Sequence, residues 1–447
     1  MEQNAPFLGS RPFRVTNRQV LAISIPMSLA YLTTPLLGLV DTAVIGQSGD
    51  TEIIGGLAAG AVVFDLLFAT FNFLRCGTTG LVAQAFGRGD ALAGKAVFWR
   101  ASVIAAISGV ALVLLVPLIT AISEWFMNTE KPVTTAMDLY IRIRLVSAPA
   151  VLINYAILGY LLGCGNSVLG FFLQLFLNGV NLALSIFLAL YLGWGIVGVA
   201  WGAVCGEAAA MIAGMTILLR RSRTVPQVSM RHTFNMAEMK RMLHLDGGIM
   251  IRSFALMGAY ILFTRQGAQL GTLTLAANSV LMHFFLVEGY FLDGLSAAAE
   301  QLTGRAVGAH CQQAFSRAVR LTAAWGFALA GFASTAIFAF GEQLIRLTTN
   351  TAAVRAEAVS YLPWAAFAAL SGVLAIQMNG VFIGATWSRD LRNSMLVSFT
   401  VFAAALFTFG PMFGNHGLWA ALHVFLLVRG ISLLLFMRRR IRSTFNE

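Results

Sequence analysis

An all-α polytopic membrane protein is the fold class that this sequence predicts, and three observations predict it. Of the 447 residues, 58% are hydrophobic and only 11% charged, a balance unlike that of a soluble domain. The apolar residues gather into twelve runs, nearly all of about 20 residues or more, the length a helix needs to cross a bilayer. The Lys and Arg between the runs fall almost wholly in alternate connections, as the charge asymmetry of membrane proteins requires.

Taken in order and bounded by charge or turn signals, the spans are read at 20–46, 55–84, 96–121, 136–163, 167–190, 194–219, 242–267, 273–303, 317–341, 357–384, 394–412 and 416–436. The first follows a polar, basic stretch; it is too long for the apolar part of a signal peptide and no A-x-A cleavage pattern follows it, so it is expected to stay in the mature protein. It carries Pro26 and Pro35, each of which removes a backbone donor and invites a kink. Several spans exceed the minimum crossing length, so tilt or kinks are expected.

The connections settle orientation. One side holds Arg11, Arg14 and Arg18; Arg88, Lys95 and Arg100; Arg220, Arg221, Arg223, Arg231, Lys240 and Arg241; Arg305, Arg317 and Arg320; Arg389 and Arg392; and Arg438, Arg439, Arg440 and Arg442. The other side holds only Lys131, Arg346 and Arg355. Both termini are therefore expected in the cytoplasm, and an odd number of spans would destroy the split. The net charge of +11 belongs to these loops and not to a basic domain, which excludes a nucleic-acid-binding reading.

The polar connection at the middle divides the chain into a first lobe, 1–219, a cytoplasmic linker, 220–241, and a second lobe, 242–447, that ends in a basic tail. The halves match at an offset of 221: Gly46 falls on Gly267, Gly87 on Gly308, Tyr140 on Tyr361, and GYLLGCGNS, from Gly159, on GVFIGATWS, from Gly380. Such coincidences signal duplication. With an even number of spans per repeat, the two lobes share orientation and are related by a pseudo-two-fold axis along the membrane normal.

Within the spans the ionisable residues stand out. Asp41 lies well inside the first span, where an acid costs about 2.5 to 3.5 kcal/mol on insertion scales. A functional role is the first reading and a carboxylate that ties two helices together is the second. Asp41 falls on Leu262 at the repeat offset, so the acid belongs to the first lobe alone. Asn178, Asn181 and Ser185 form one stripe of the fifth span, lining a cavity or bonding between helices. Asp65 and Glu207 are further first-lobe acids, either relays or paired structural charges. In the second lobe Arg252 and Asp293 lie at equal depth on neighbouring antiparallel spans and are expected to pair as a structural unit. Glu300, near the basic eighth-to-ninth connection, is read as a cytoplasmic gate or anchor.

Cys76, Cys164, Cys205 and Cys311 show no metal or redox spacing and are expected as free thiols. The six histidines are scattered, and none of H-E-x-x-H, G-x-S-x-G or a phosphate-binding loop occurs, so neither an enzyme nor direct ATP coupling is expected. An ion gradient remains as the energy source.

The pieces PLLGLVDTAVIG, FLRCGTTGLVAQAFGRGD, MIRS, ANSVLM with YFLDG, GVFIGAT with LRNSM, and GNHGLWAAL, in this order along nearly the whole chain, closely resemble the multidrug and toxic compound extrusion (MATE) family, in particular its DNA-damage-inducible branch. The resemblance implies a multi-pass inner-membrane antiporter of two six-helix lobes, acting as a monomer, that exports amphipathic, often cationic drugs by alternating access. It makes Asp41 the proton-binding acid and Asn181 its fifth-span companion. Ser185, Ala203 and Asn379 stand where other members carry an acid, a threonine and an acid. These departures strip oxygen ligands from a sodium site, so a proton gradient is expected, with no cofactor and no metal. A sodium-coupled antiporter and a lipid or glycolipid flippase of related fold are the alternatives.

Overall fold

A computed structural model of the protein describes residues 14–46, 50–128, 130–221 and 235–445, which are helical nearly throughout and include no strand. Arg11, Arg223 and Arg231 and most of the 220–241 connection lie outside the described residues. The helices are α1 (Asn17–Gly46), α2 (Thr51–Thr70), α3 (Phe73–Arg88), α4 (Ala91–Leu114), α5 (Val116–Met127), α6 (Lys131–Leu145), α7 (Ala148–Gly163), α8 (Ser167–Ile186), α9 (Ile196–Arg221), α10 (Met236–Gln269), α11 (Thr272–Gly308), α12 (Gln312–Thr348), α13 (Ala352–Gly384), α14 (Ser388–Phe413) and α15 (Asn415–Phe445). Among the described residues eleven spans are long and apolar enough to cross a membrane, and twelve when α6 and α7, bent by 54° at their junction, count as one.

Sequence explains the punctuation. Asp50 and Asp90 cap α2 and α4, their carboxylates accepting from Ile53 N and Ala93 N, the partners an N-terminal turn leaves unsatisfied. The α6–α7 bend falls at Val146 and Ser147, just before Pro149 in the first turn of α7, where a proline has no donor to lose. The sharp break thus lies in the fourth span, while α1 runs unbroken through Pro26 and Pro35.

Among the described residues two compact units form, one within 29–243 and the other joining 14–28 to 244–445. The start of α1 therefore belongs with the second unit. Ser28 Oγ donates to Phe291 O at 2.9 Å, Arg317 Nε to Val15 O at 2.6 Å and Trp325 Nε1 to Asn17 Oδ1 at 3.2 Å.

The 221-residue repeat is visible in the backbone. Left-handed residues recur in pairs at that offset: Gly89 (φ 72°) with His310 (49°), Gly165 (77°) with Thr386 (58°), and Gly193 (70°) with Gly414 (56°). Close helix approaches recur too. A Cβ on Gly159 would strike Arg75 O and one on Gly163 would strike Val82 and Thr79 O, while Gly380 and Gly384 are equally tight against Ser296 O and Glu300 O. Such small-residue seams let membrane helices pack where no hydrophobic force draws them together.

In the second unit the core includes Phe263 edge-on to Trp419 at 5.3 Å and Phe402 against Phe425 at 5.6 Å. A polar clasp crosses it: Asn278 Nδ2 donates to Asn415 Oδ1 at 2.7 Å, and Asn278 Oδ1 accepts from Asn415 Nδ2 and Trp419 Nε1, each at 2.9 Å. In the first unit Val44, Ile45, Leu57, Tyr140, Ala189, Ile196, Val199 and Ala200 form a core beside the polar group described next.

Candidate functional site

Two glycine ladders build the site. On α2, Gly56 and Gly60 sit against Ala136 and Tyr140 of α6, where added methyl groups would clash. One turn further on both helices, the Arg144 guanidinium lies 3.9 Å from the centre of the Phe64 ring, in cation–π geometry, and 5.9 Å from that of Tyr140. On α9, Gly198, Gly202 and Gly206 sit against Ala189, Ser185 and Asn181 respectively. The first ladder brings α6, with its arginine, onto α2; the second presses the polar stripe of α8 onto α9.

Asp41 is buried. Its carboxylate is within hydrogen-bonding reach of the Ser185 hydroxyl and feels the charge of Arg144, while its Oδ1 has no hydrogen-bond partner in the protein. Ser185 Oγ also donates to Asn181 Oδ1 at 3.0 Å. The sequence points to Asn181 as the direct companion of Asp41; the structure inserts Ser185 between them. A hydroxyl has one proton to donate and lone pairs to accept. While Ser185 donates to Asn181 it can accept from a protonated Asp41, and it must turn to serve an ionised one. The chain Asp41–Ser185–Asn181 thus has two hydrogen-bonding arrangements, one for each protonation state.

The remaining first-lobe residues gather nearby. Asn178 Nδ2 donates to Thr33 Oγ1 of α1 at 2.6 Å, fixing α8 to the helix that carries Asp41. Glu207 accepts at Oε2 from Asn154 Nδ2 of α7 at 2.7 Å, and the same amide donates to the Glu207 carbonyl at 3.0 Å. Asp65 is exposed on α2. Arg144 acts electrostatically on Asp41, Asp65 and Glu207 together, one cation set among three acids. Its position at the last turn of α6 is also the end of a helix that favours positive charge.

The second-lobe residues stand apart from this group in the chain. Arg252 Nη2 donates to Ser253 Oγ at 3.2 Å, and Arg252, Asp293 and Arg429 all act on Tyr260. Asp293 therefore lies among two guanidiniums, of which the sequence reading used one. Glu300 is buried in the seam of α11 and α13, opposite Gly384, at the repeat position of Thr79.

Asn154, the glycine ladders and the part Arg144 plays among the first-lobe acids are what sequence reasoning missed. The ladders were readable as glycines four apart in IIGGLAAG and IVGVAWGAVCG. Arg144 was readable as an arginine inside a span, far from the other charged loops; its neighbour Arg142 instead reaches Asp138 at 3.1 Å.

An all-helical, multi-pass protein of two repeated units, with a buried acid and an internal arginine in the first, is a membrane protein of the secondary-transporter kind. The MatE family profile matches residues 26–187 and 249–408, and the chain belongs to that family. DNA damage-inducible protein F of Escherichia coli (strain K12) is 34% identical across 94% of this chain and 92% of its own length. A probable multidrug resistance protein NorM of Deinococcus radiodurans is 27% identical across 93% of this chain and 94% of its own. Among solved structures, a MATE protein in the bent conformation aligns with a TM-score of 0.88 at 18% identity over 97% of this chain and 99% of that one. An outward-facing multidrug resistance MATE family transporter aligns with a TM-score of 0.85 at 19% identity over 96% and 97%. At these identities the structural likeness establishes the fold.

Proposed function

We propose that the protein is a secondary active multidrug efflux transporter that exports amphipathic, cationic compounds in exchange for protons by alternating access of its two lobes. The observation that carries this reading is the buried Asp41, in reach of a hydroxyl that can serve both of its protonation states and under the field of Arg144. A proton arriving at Asp41 removes one negative charge from a group in which Arg144 is shared by three acids. Arg144 is then free to favour Asp65 or Glu207, and the balance of forces among α1, α2, α6 and α9 changes. Loss of the proton restores it. A coupling device needs such a charge-driven change between two arrangements.

The chain carries out no covalent chemistry in this reading and needs no cofactor. Sodium is disfavoured because the ligands around Asp41 are few and neutral. In this reading the protein is a monomer of the inner membrane; both termini lie in the cytoplasm, an orientation that the distribution of Lys and Arg supports.

The test is export of a fluorescent lipophilic cation from cells that lack their own efflux pumps. Asp41→Asn keeps the shape of the side chain and cannot ionise; it is expected to reach the membrane at normal levels and to lose efflux driven by a proton gradient. A protonophore should stop wild-type efflux and removal of sodium should not. Efflux by Asp41→Asn with unchanged pH dependence would place the coupling group elsewhere, and dependence on sodium would overturn the choice of ion.

A further inference from the structure

The second unit holds a buried acid that the reading above does not use. Leu281, Phe285, Glu288, Leu292 and Leu295 are buried at spacings of four, three, four and three along α11, one continuous stripe facing the protein interior. Four of the five are large and apolar, and the one at the middle of the 37-residue helix is a glutamate. One turn on, Leu292 packs with Ala330 of α12 and with Ala369 and Val373 of α13. The Glu288 carboxyl lies against the backbone at Ala369. The residue is 3% exposed, and neither carboxyl oxygen has a hydrogen-bond partner among the described residues.

Among the described residues no charge compensates it. Of the helices packed against α11, residues 321–341 of α12 and 358–384 of α13 include no Asp, Glu, Lys, Arg or His, and Tyr361 is the sole ionisable side chain there; α10 faces Phe285 through Tyr260. The beginning of α1, which packs further along α11 through Ser24 and Ser28, contributes only Arg18, which is exposed. On α15, His423 is engaged with the Trp364 carbonyl at 3.0 Å, and Arg429 belongs to the group of Arg252, Tyr260 and Asp293. On α11 itself His283 is exposed and Tyr290 is half-buried, while Asp293, Glu300 and Arg305 lie five, twelve and seventeen residues away.

An ionised carboxylate with no partner cannot be held in such a seam, because its desolvation is uncompensated. The scaffold does not demand an acid there either: at the repeat offset Glu288 falls on Leu67, and the first unit folds with a leucine. Beside it on the same helix Leu286 and Val287 are exposed, and a Cβ at Gly289 would meet nothing within 4 Å.

We propose that Glu288 is a proton-binding site of the second unit, held neutral while α11 is closed against α12 and α13 and releasing its proton to water when that seam is wetted. The step is a simple proton exchange. The carboxyl O–H bond breaks, the proton passes to water and the carboxylate is hydrated; closure of the seam requires the reverse. This site is independent of Asp41 and adds a second exchangeable proton to the full chain.

The test is an infrared difference titration of the purified full-length protein in lipid, read at the carboxyl C=O stretch, together with the number of protons taken up over an acid pH jump. Wild type is expected to show a protonated-carboxyl band, lost on alkalinisation, that Glu288→Gln lacks, with about one proton fewer taken up by the variant. Asp41→Asn should remove a different band, so the two sites are told apart, and failure of Asp41→Asn to alter efflux would leave this result untouched. Glu288→Leu restores the apolar stripe and is expected to fold with a higher melting temperature, which guards against a variant that simply misfolds. An unchanged band and proton count in Glu288→Gln, or a lower melting temperature in Glu288→Leu, would overturn the proposal.

Discussion

Gly202→Ala tests whether the α8–α9 ladder holds the site together. A Cβ at this position would lie 2.6 Å from both the backbone nitrogen and Oγ of Ser185 and 2.9 Å from its Cα. Unstrained carbon contacts lie at about 3.5 to 4.0 Å, so α8 must withdraw by about 1 Å. Two of the three clashing atoms are backbone, and no rotamer change relieves them. Overpacking of this kind costs about 1 to 3 kcal/mol, offset in part by the roughly 0.5 to 1 kcal/mol that alanine gains over glycine inside a helix. Gly179 provides the control, because it lies on α8 with nothing within 4 Å of its would-be Cβ, and Gly179→Ala should be neutral or slightly stabilising. The two variants make the same chemical change and are expected to differ by about 1 to 3 kcal/mol, read as a lower melting midpoint for Gly202→Ala in the same detergent. The displacement also carries Ser185 away from Asp41, so pH-driven efflux should fall in Gly202→Ala and persist in Gly179→Ala. Equal melting and equal efflux would show that α8 does not rest on Gly202, and the geometry assigned to Ser185 would fall with it.

Ser185→Ala deletes the hydroxyl shared by Asp41 and Asn181, a neutral contact of about 0.5 to 1.5 kcal/mol, and should weaken efflux less than Asp41→Asn in the same assay. Arg144→Gln removes the cation whose charge acts on three acids. Its loss disfavours ionised carboxylates, so the pH profile of efflux should move to the alkaline side, and an unmoved profile would remove Arg144 from the coupling group. Asn278→Ala leaves Asn415 Nδ2 and Trp419 Nε1 buried without their acceptor, a loss of about 1 to 3 kcal/mol for each donor, and should lower the melting midpoint without altering the pH profile.

The spans were legible in the sequence because crossing a bilayer imposes one length and one polarity on every helix, and loops carry the charge that orients them. Asp41 and the stripe of Asn178, Asn181 and Ser185 were legible because polar atoms in hydrocarbon need a reason to be there. The order of contacts among them was not: that Ser185 comes within reach of Asp41 depends on how closely α9 presses on α8, and hence on Gly198, Gly202 and Gly206. What Arg144 touches was hidden for a similar reason. Its role follows from the bend at Ser147 and from the small residues at 56 and 60, which bring α6 down onto α2. Glu288 could have been found from its spacing to Leu281, Phe285 and Leu292. Comparing the depths of charged residues points instead to Asp293, which has cationic company.

The two halves show how one backbone comes to carry two kinds of interior. The same left-handed turns recur at 89 and 310, 165 and 386, and 193 and 414, so the helices begin and end alike. At the repeat offset, however, Asp41, Arg144, Asn181 and Ser185 fall on Leu262, Ala365, Phe402 and Leu406. Ala365, Phe402 and Leu406 are all in the packed core of the second unit, and Leu262 rests against it. A polar group tolerant of two protonation states in one half is a close-packed apolar core in the other. Tyr140, buried in the first core, is kept as Tyr361, which rests against the second. The apolar core gives the second half a rigidity that a group of three acids and one arginine cannot have. The proton site proposed for this half, Glu288, is on another helix and in another seam. A proton taken up in the first half therefore changes a network of charges, whereas one taken up in the second changes how tightly two apolar surfaces close. The two halves would then respond to the same proton gradient by different physical means.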